Sequence, residues 1–451
     1  MDENIIIEEI DSHREDYIEF FRELIQTKSY NPPGDEMNVA VKLQAFFQNN
    51  DIKCEVFPFG ENRANLIAHV NKNFDHCLLY NGHMDTVPPG PEDEWRYSPL
   101  SAHIRRKKFI YGRGTTDMKA GLAAMAISMQ ILKKLNIQSD KNLVLCAVGD
   151  EETSGILGGL WSVENVLKAR NIKSDFCVVG ESTGLEPLPK AIIVGEKGHV
   201  RIKIITHGIA AHSSIPFEGK NAIYMMSDII QHLDKLDNYL PNVPPPIPEE
   251  KLKALLSEVF PDKDVFEKIF NEQPILRNFL KALTTLTRSL NLIEGGIKDN
   301  VVPEKCEAIM DFRTFPGQTG EMIKNALEQV VKDSGYPLKE EGKNSSEHVY
   351  AQIEIIDDSD GSYWEDWEDS ELIKEFKSIA ERIYERASFY SLFPAASDAR
   401  TFRNTNYCPS TILFGPGNAT LPHTTDEYIE IDDFMRIIKV YTLFAYKYLS
   451  D

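Results

Sequence analysis

The stretch CLLYNGHMD, residues 77–85, is an apolar run that ends in a histidine and an aspartate. Two further apolar runs end in acidic residues, NLVLCAVGDEE at 142–152 and FCVVGE at 176–181. A short continuous apolar run is typical of a buried strand. Because the carboxyl ends of parallel strands share one edge of an open α/β sheet, the polar residues after these strands are expected to meet there. The three stretches therefore predict an α/β fold with its functional site at that edge.

The patterns around these strands describe the rest of a large domain. Helical periodicity occurs at 37–49, 119–135 and 160–169, and strands alternate with helices up to Lys197 and again from Glu371. Such alternation predicts a mainly parallel mixed sheet with helices on both faces. Residues 1–197 and 358–451 are therefore assigned to one domain.

A second domain is predicted to interrupt the first at 198–357. Its patterns follow the order βαββαβ, which is typical of a small α+β domain with one open sheet face. They are a strand at 199–206, a helix at 219–237, strands near 290–298 and at 305–312, a helix at 319–333 and a strand at 351–356. An insertion at about 238–290 begins with several prolines and then shows amphipathic helical patterns at 249–259 and 273–289.

The composition speaks against several classes of partner. The 451 residues carry a formal net charge of −21, which disfavours binding to nucleic acid or to anionic membranes. No apolar run is long enough to span a membrane, and the N-terminus lacks the basic start of a signal peptide, so a cytoplasmic location is expected. The six cysteines have no C-x-x-C spacing and are expected to be small apolar residues rather than disulfides or thiolate ligands.

Side chains that commonly bind metals follow the predicted strands or lie close to them in the expected fold. They are His83, Asp117, Glu152, Glu181 and His423, with Asp85 and Glu151 beside them. Two histidines and three carboxylates around one cavity suit a pair of Zn²⁺ or Co²⁺ ions. Two such ions about 3.5–4 Å apart can hold a hydroxide and a polarised carbonyl between them. The set therefore predicts a two-metal hydrolase.

Four motifs extend this prediction to a known family. They are GHMDTVP at 82–88, GRGTTDMKAG at 112–121, DEETSG at 150–155 and GES at 180–182. Together they resemble the acetylornithine deacetylase, succinyl-diaminopimelate desuccinylase and glutamate carboxypeptidase family of co-catalytic zinc metallopeptidases, over nearly the whole chain. The resemblance implies that the large domain is the metal-binding catalytic domain and that 198–357 is a lid and dimerisation domain.

The resemblance also implies a role for each site residue. The implied metal ligands are His83 and Glu181 for one ion, His423 and Glu152 for the other, and Asp117 as the bridge. A metal-bound hydroxide would be the nucleophile, with Glu151 as the general base that takes a proton from the bound water. Asp85 would orient the imidazole of His83. The peptide bond between Asp117 and Met118 is expected to be cis.

Residues outside the metal motifs resemble the family's substrate contacts. They are His212, Asn300, Arg313 and Arg400. The asparagine and the two arginines suit recognition of a substrate carboxylate. Each arginine has an alternative, a structural salt bridge of Arg313 with Asp311 or of Arg400 with Asp398. The family resemblance implies that His212 acts on the substrate carbonyl in the partner subunit of a homodimer.

The glutamate at position 181 bears on the substrate. In this family, Glu at this position resembles deacylases and carboxypeptidases, whereas dipeptidases and aminopeptidases carry Asp. The expected substrate is a small molecule, either an N-acyl amino acid or a short peptide with a free C-terminal carboxylate. Three alternatives remain open: a dipeptidase of the same family, a non-catalytic binding protein on the same fold, and a two-metal phosphoesterase. The last would use more histidine ligands than the two that match here.

Overall fold

The structure of the protein, a computed structural model, describes residues 3–186, 188–339 and 349–450. Its helices are α1 (Glu3–Ser12), α2 (Arg14–Gln26), α3 (Glu36–Asn49), α4 (Lys119–Lys134), α5 (Ala222–Gln231), α6 (Glu249–Ser257), α7 (Lys263–Glu272), α8 (Pro274–Thr284), α9 (Gly320–Asp333), α10 (Glu371–Tyr384), α11 (Ala399–Asn404) and α12 (Ile431–Ser450). Its strands are β1 (Lys53–Gly60), β2 (Arg63–His69), β3 (Cys77–His83), β4 (His103–Arg105), β5 (Phe109–Tyr111), β6 (Asn142–Val148), β7 (Ser174–Gly184), β8 (Ala191–Glu196), β9 (Gly198–His207), β10 (Ala211–His212), β11 (Thr287–Gly295), β12 (Val301–Val302), β13 (Lys305–Thr314), β14 (Tyr350–Ser359), β15 (Ser362–Tyr363), β16 (Phe389–Phe393), β17 (Thr411–Asn418) and β18 (Tyr428–Glu430).

The large sheet has the strand order β1-β2-β6-β3-β7-β17-β8-β15, with β16 pairing to β8. Its centre is parallel, because β3 pairs in parallel with β6 and β7, and β7 pairs in parallel with β17. Every residue of β3 and of β6 is buried. A strand that is buried along its whole length must be covered on both faces of its sheet. The predicted α/β class with a mainly parallel mixed sheet is confirmed.

A small antiparallel sheet has the strand order β11-β13-β9-β14. In β9 the side chains of Val200, Ile202 and Ile204 are buried and alternate with partly or fully exposed residues. This alternation arises because successive side chains point to opposite faces of the strand. The buried face packs with α5 and α9 into an apolar cluster of its own. Residues 340–348 of the predicted second domain lie outside the described part of the chain.

The inserted helices α6, α7 and α8 pack away from this cluster. Their buried side chains, among them Leu252, Phe266 and Leu280, belong to the apolar cluster of the large sheet. Lys197, at the passage from β8 to β9, donates hydrogen bonds from Nζ to the main-chain oxygens of Ala282 (2.9 Å) and Thr285 (2.5 Å) at the end of α8. Residues predicted as part of the second domain thus share the core of the first, while the limits 198–357 stay a prediction.

Two local predictions changed in the structure. The α-helix predicted at 160–169 is replaced by two π-helical segments, Ile156–Leu160 and Val163–Leu167. The helical pattern at 273–289 ends at Thr284 because β11 begins at Thr287 and pairs with β13. All six cysteines are free thiols, and all but Cys54 are buried. Among the described residues, none of the helices has both the length and the apolar character that a membrane crossing requires.

Candidate metal centre

Adjacent parallel strands bring three parts of the candidate site together. His83 is the last residue of β3 and is paired in register with Val148, the last residue of β6. Glu151 and Glu152 follow β6 after a turn at Asp150, whose φ of 70° is in the left-handed region. Glu181 lies in β7, the other neighbour of β3. The common sheet edge predicted from the sequence therefore exists.

Asp117 lies between the two histidines. One of its carboxylate oxygens is 3.0 Å from Nε2 of His83, and the other is 3.0 Å from Nε2 of His423. Nε2 of His83 is also 3.5 Å from a carboxylate oxygen of Glu181, and Nε2 of His423 is 3.1 Å from one of Glu152. The donor atoms form two groups that share Asp117, and within each group all atoms lie within 4.8 Å of one another.

Asp117 lies just before α4, and its position depends on close backbone packing between α4 and β7. The peptide bond between Asp117 and Met118 is cis, as expected. Gly121, in the first turn of α4, lies against the main chain of Gly180, and a Cβ at position 121 would be 2.2 Å from the oxygen of Gly180. A glycine at 121 therefore lets α4 approach β7 closely enough to bring Asp117 beside Glu181.

The carboxylate of Asp85 connects two strand ends. Its Oδ2 accepts hydrogen bonds from the side-chain amide of Asn31 (2.9 Å) and from the backbone N–H of Glu152 (3.1 Å). The nearest acceptor for Nδ1 of His83 is the main-chain oxygen of Asp85 at 2.9 Å, and the carboxylate lies at 3.6 Å. Asp85 thus orients His83 mainly through its backbone, and its side chain holds the loop of Glu152.

Asp150 holds the turn that presents the two glutamates. Its carboxylate accepts hydrogen bonds from the hydroxyls of Thr153 (2.7 Å) and Ser154 (2.6 Å). The guanidinium of Arg63 lies 3.2 Å from Asp150 and 2.6 Å from the fully buried Glu36. Asn31, Arg63 and Glu36 were not identified from the sequence, because their positions far from the motifs carry no local signal of this network.

Burial and neighbouring charges shift the pKa values of the acidic residues in the site. Burial opposes ionisation of Asp117, but hydrogen bonds from His423 and His83 outweigh it and lower its pKa. Burial and the charge of Asp117 raise the pKa of Glu152 to about 7. Burial, together with repulsion from Glu181 and Glu152, raises the pKa of Glu151 well above its usual range.

These shifts bear on whether the site fits metal ions. Several carboxylates in one buried place are unfavourable unless cations compensate them. Imidazole nitrogens and carboxylate oxygens are the ligands that Zn²⁺ and related divalent ions accept in proteins. The residues present therefore fit a divalent-metal centre in both charge and donor type.

The residues predicted to contact substrate are more dispersed. In the small ladder of β10 and β12, His212 pairs with Val301, next to Asn300, so these two predicted contacts are close together. Nδ1 of the exposed His212 lies 2.7 Å from the hydroxyl of Ser214. Arg313 donates from Nε to Asp311 at 2.9 Å, which is the salt bridge considered as its alternative role.

Arg400 lies between the small sheet and the metal loop. Its Nη1 donates to the hydroxyl of Ser359 at 2.5 Å, and its Nη2 donates to the main-chain oxygen of Ser154 at 3.3 Å. The neighbouring Asp398 is buried, and its Oδ2 has no hydrogen-bond partner. Burial raises the pKa of Asp398 to about 7. The pairing of Arg400 with Asp398 that the sequence suggested is replaced by these two contacts of Arg400.

The chain is similar to known proteins over nearly its whole length. The family model described as "Peptidase family M20/M25/M40" matches residues 79–447 of this chain. A probable succinyl-diaminopimelate desuccinylase of Staphylococcus aureus (strain MSSA476) is 28% identical over 436 residues, covering 96% of this chain and 98% of that protein.

Solved structures share the fold. A metallo-carboxypeptidase of the M20 family from Sulfolobus solfataricus has a TM-score of 0.74 at 19% identity, covering 96% of this chain and 99% of the other. A di-peptidase from Saccharomyces cerevisiae has a TM-score of 0.75 at 16% identity, covering 100% of this chain and 99% of the other. At these identities the likeness concerns the fold.

Proposed function

Because the chain belongs to peptidase family M20/M25/M40 and is a metal-dependent hydrolase, we propose that it cleaves the amide bond of an N-acyl amino acid or of a short peptide with a free C-terminal carboxylate. The observation that carries this proposal is the position of Asp117, which has one carboxylate oxygen 3.0 Å from His83 and the other 3.0 Å from His423. A carboxylate placed in this way is suited to bridge two ions, with His83 and Glu181 on one side and His423 and Glu152 on the other.

The chemistry is divided between the ions and the side chains of this chain. When bound, two Zn²⁺ or Co²⁺ ions would lower the pKa of a water molecule and polarise the scissile carbonyl. Glu151 precedes the proposed ligand Glu152 in the same loop. Its carboxylate would be ionised once cations compensate the acidic site, and it would then take a proton from the attacking water. It then returns that proton to the leaving nitrogen. Asp85 keeps His83 and the backbone of Glu152 in place.

The substrate class rests on two supports. The desuccinylase from Staphylococcus aureus, which this chain resembles over most of its length, is named for removing an acyl group from an amino acid. Glu at position 181 is typical of the acyl-removing and carboxypeptidase members of the family. A dipeptidase activity is the second candidate, because a di-peptidase shares the fold over 100% of this chain.

We also propose that the protein is a homodimer in which the small sheets meet. Strand β11 lies at the edge of that sheet. Large apolar side chains are exposed nearby, among them Phe217 at 94% exposure, Tyr224, Leu292 and Ile297. Exposed apolar surface of this kind is typical of protein–protein interfaces. His212 lies in β10, next to the small sheet, and in this proposal it acts at the metal centre of the partner subunit.

A substrate panel tests the proposed reaction. The protein, supplied with Zn²⁺ or Co²⁺, is incubated with N-succinyl and N-acetyl amino acids, with dipeptides, and with a phosphodiester, and amine or phosphate release is measured. Release of free amino acid from the acyl substrates is expected. Hydrolysis of dipeptides alone would make the protein a dipeptidase, and hydrolysis of the phosphodiester alone would contradict the proposed class. Absence of turnover together with tight substrate binding would identify a binding protein.

A further inference from the structure

Glu427 is a buried carboxylate that contacts the segment carrying Asp117. Its Oε1 accepts hydrogen bonds from the backbone N–H of Thr116 (2.7 Å), from the hydroxyl of Thr116 (2.9 Å) and from the backbone N–H of Asp117 (3.3 Å). Its Oε2 accepts from the backbone N–H of Gly114 (3.1 Å) and from Nη1 of Arg113 (2.8 Å). One side chain, fully buried, therefore fixes the backbone on the N-terminal side of Asp117.

Residues before Asp117 also donate hydrogen bonds to the main chain of the residues after His423. Nη1 of Arg113 also donates to the main-chain oxygen of Thr424 at 3.2 Å, one residue after His423. The backbone N–H of Gly112 donates to the main-chain oxygen of Glu427 at 3.0 Å. The segments 112–117 and 424–427 thus hold each other at several points; the first carries Asp117, and the second directly follows His423.

The two proposed ion positions differ in how their histidines are supported. His83 is fully buried at the end of β3, between β6 and β7, so its backbone is held by the large sheet. The side chain of His423 is 56% exposed, and its φ of 64° is in the left-handed region. It lies in the connection between β17 and β18. The place of His423 relative to Asp117 therefore depends on the contact between the two segments.

We propose that Glu427 is a positioning residue that sets His423 relative to Asp117, and that its loss weakens ion binding at His423 more than at His83. The inference rests on the proposed two-metal function. In Glu427→Gln an amide group replaces one oxygen, so two N–H donors would face each other where a hydrogen bond now exists. The guanidinium of Arg113 would also lose its buried counter-charge. Partners that orient metal ligands typically contribute about 10–100-fold to metal affinity.

A purely structural role for Glu427 makes a different prediction. If the carboxylate only compensated Arg113, its loss would lower the unfolding temperature and leave the two ion affinities in their original ratio. The ratio of the two affinities is therefore the quantity that separates the two roles.

The experiment titrates metal-depleted protein with Co²⁺ and follows its absorption spectrum, with Zn²⁺ calorimetry in parallel. The variants are Glu427→Gln, the milder Thr116→Val, which removes one hydroxyl donor, and Glu430→Gln as a matched control. Glu430 lies three residues after Glu427, at the end of β18, and pairs at the surface with Lys108 at 3.3 Å. Thermal unfolding of each variant reports on folding.

The expected result is two bound ions for the wild type and for Glu430→Gln. In Glu427→Gln the first ion binds normally and the second about 10–100-fold more weakly, with a smaller effect in Thr116→Val. The spectrum of singly loaded Glu427→Gln should match that of His423→Ala and not that of His83→Ala. If Glu427→Gln does not fold, Thr116→Val decides.

Three outcomes overturn the inference. Unchanged affinities in Glu427→Gln, or equal weakening of both ions, would refute the positioning role while leaving the two-metal function intact. If Glu427→Gln does not fold, a Thr116→Val variant that keeps the wild-type ratio of the two ion affinities would also refute the positioning role. A wild-type chain that binds fewer than two ions would instead refute the proposed function, and this inference with it.

Discussion

Arg400 donates a hydrogen bond of 3.3 Å from Nη2 to the main-chain oxygen of Ser154. Ser154 lies two residues after Glu152, so this arginine contacts the loop that presents the proposed base and one proposed ligand. Its other contact, to Ser359, is at the end of β14 in the small sheet. Arg400 therefore connects the end of the small sheet with the loop that carries Glu151 and Glu152.

The first prediction concerns carboxylate recognition by Arg400. In Arg400→Ala, kcat/KM for a substrate with a free carboxylate should fall by about 10²-fold or more, because a charge-assisted hydrogen bond is lost. The kcat/KM of Arg400→Ala for the methyl ester of the same substrate should differ little from that of the wild type. Arg382→Ala, which changes an arginine on the surface of α10, is the control. Equal losses for acid and ester would show that Arg400 supports the fold of the cleft rather than the carboxylate.

The second prediction concerns the ions and their dependence on pH. Without ions, hydrogen bonds to Asp117 and Glu152 raise the pKa of His423 to about 10. An imidazole must be neutral to bind a metal, so ion uptake near neutral pH releases this proton. Affinity should therefore fall as pH drops from about 8 to about 6. Equilibrium dialysis measures this, and a chelated, dialysed sample that kept full activity would contradict the metal requirement.

The third prediction separates the two neighbouring glutamates. Glu151→Gln removes the proposed base and no ligand, so kcat should fall by about 10²–10⁴-fold with the metal content unchanged. Glu152→Gln should lose metal because its carboxylate lies 3.1 Å from His423. Metal analysis beside steady-state kinetics tests both. Loss of metal in Glu151→Gln with retention in Glu152→Gln would show that the two roles are reversed.

The fourth prediction concerns action across subunits. His212→Ala chains and Glu151→Gln chains are each expected to be inactive. After verified subunit exchange, a mixed dimer would contain one site with both an intact base and an intact histidine from the partner. Activity should therefore return in the mixture. No recovery despite exchange would assign His212 to its own subunit or to no catalytic role.

The fifth prediction concerns the packing of α4 against β7. Gly121→Ala would place a Cβ 2.2 Å from the main-chain oxygen of Gly180, so the two elements must move apart. Overpacking of this kind costs about 1–3 kcal/mol of unfolding free energy, measured by denaturant titration. Gly60→Ala is a suitable control, because the nearest neighbour of its added Cβ would be a side-chain atom at 3.6 Å. Similar stability losses in both variants would contradict a special role for the close approach.

The strands, their polar ends and the residue types of the site could be predicted from the order of the amino acids. Apolar runs such as 77–83 and 142–148 are visible locally, and a parallel arrangement brings their ends to one edge whatever the details of packing. His83, Glu152 and Glu181 could therefore be proposed together from pattern alone. The roles of Asp117 and His423 came from the family resemblance, because no predicted strand runs directly into either of them.

Tertiary structure alone decided which distant side chains support that site. Glu427 holds the backbone before Asp117, and Asn31 holds Asp85. It also decided that the inserted helices share the core of the large sheet, although their amphipathic pattern fits either core equally well. Periodicity shows that a face will be buried, whereas the identity of its partner depends on contacts between segments hundreds of residues apart.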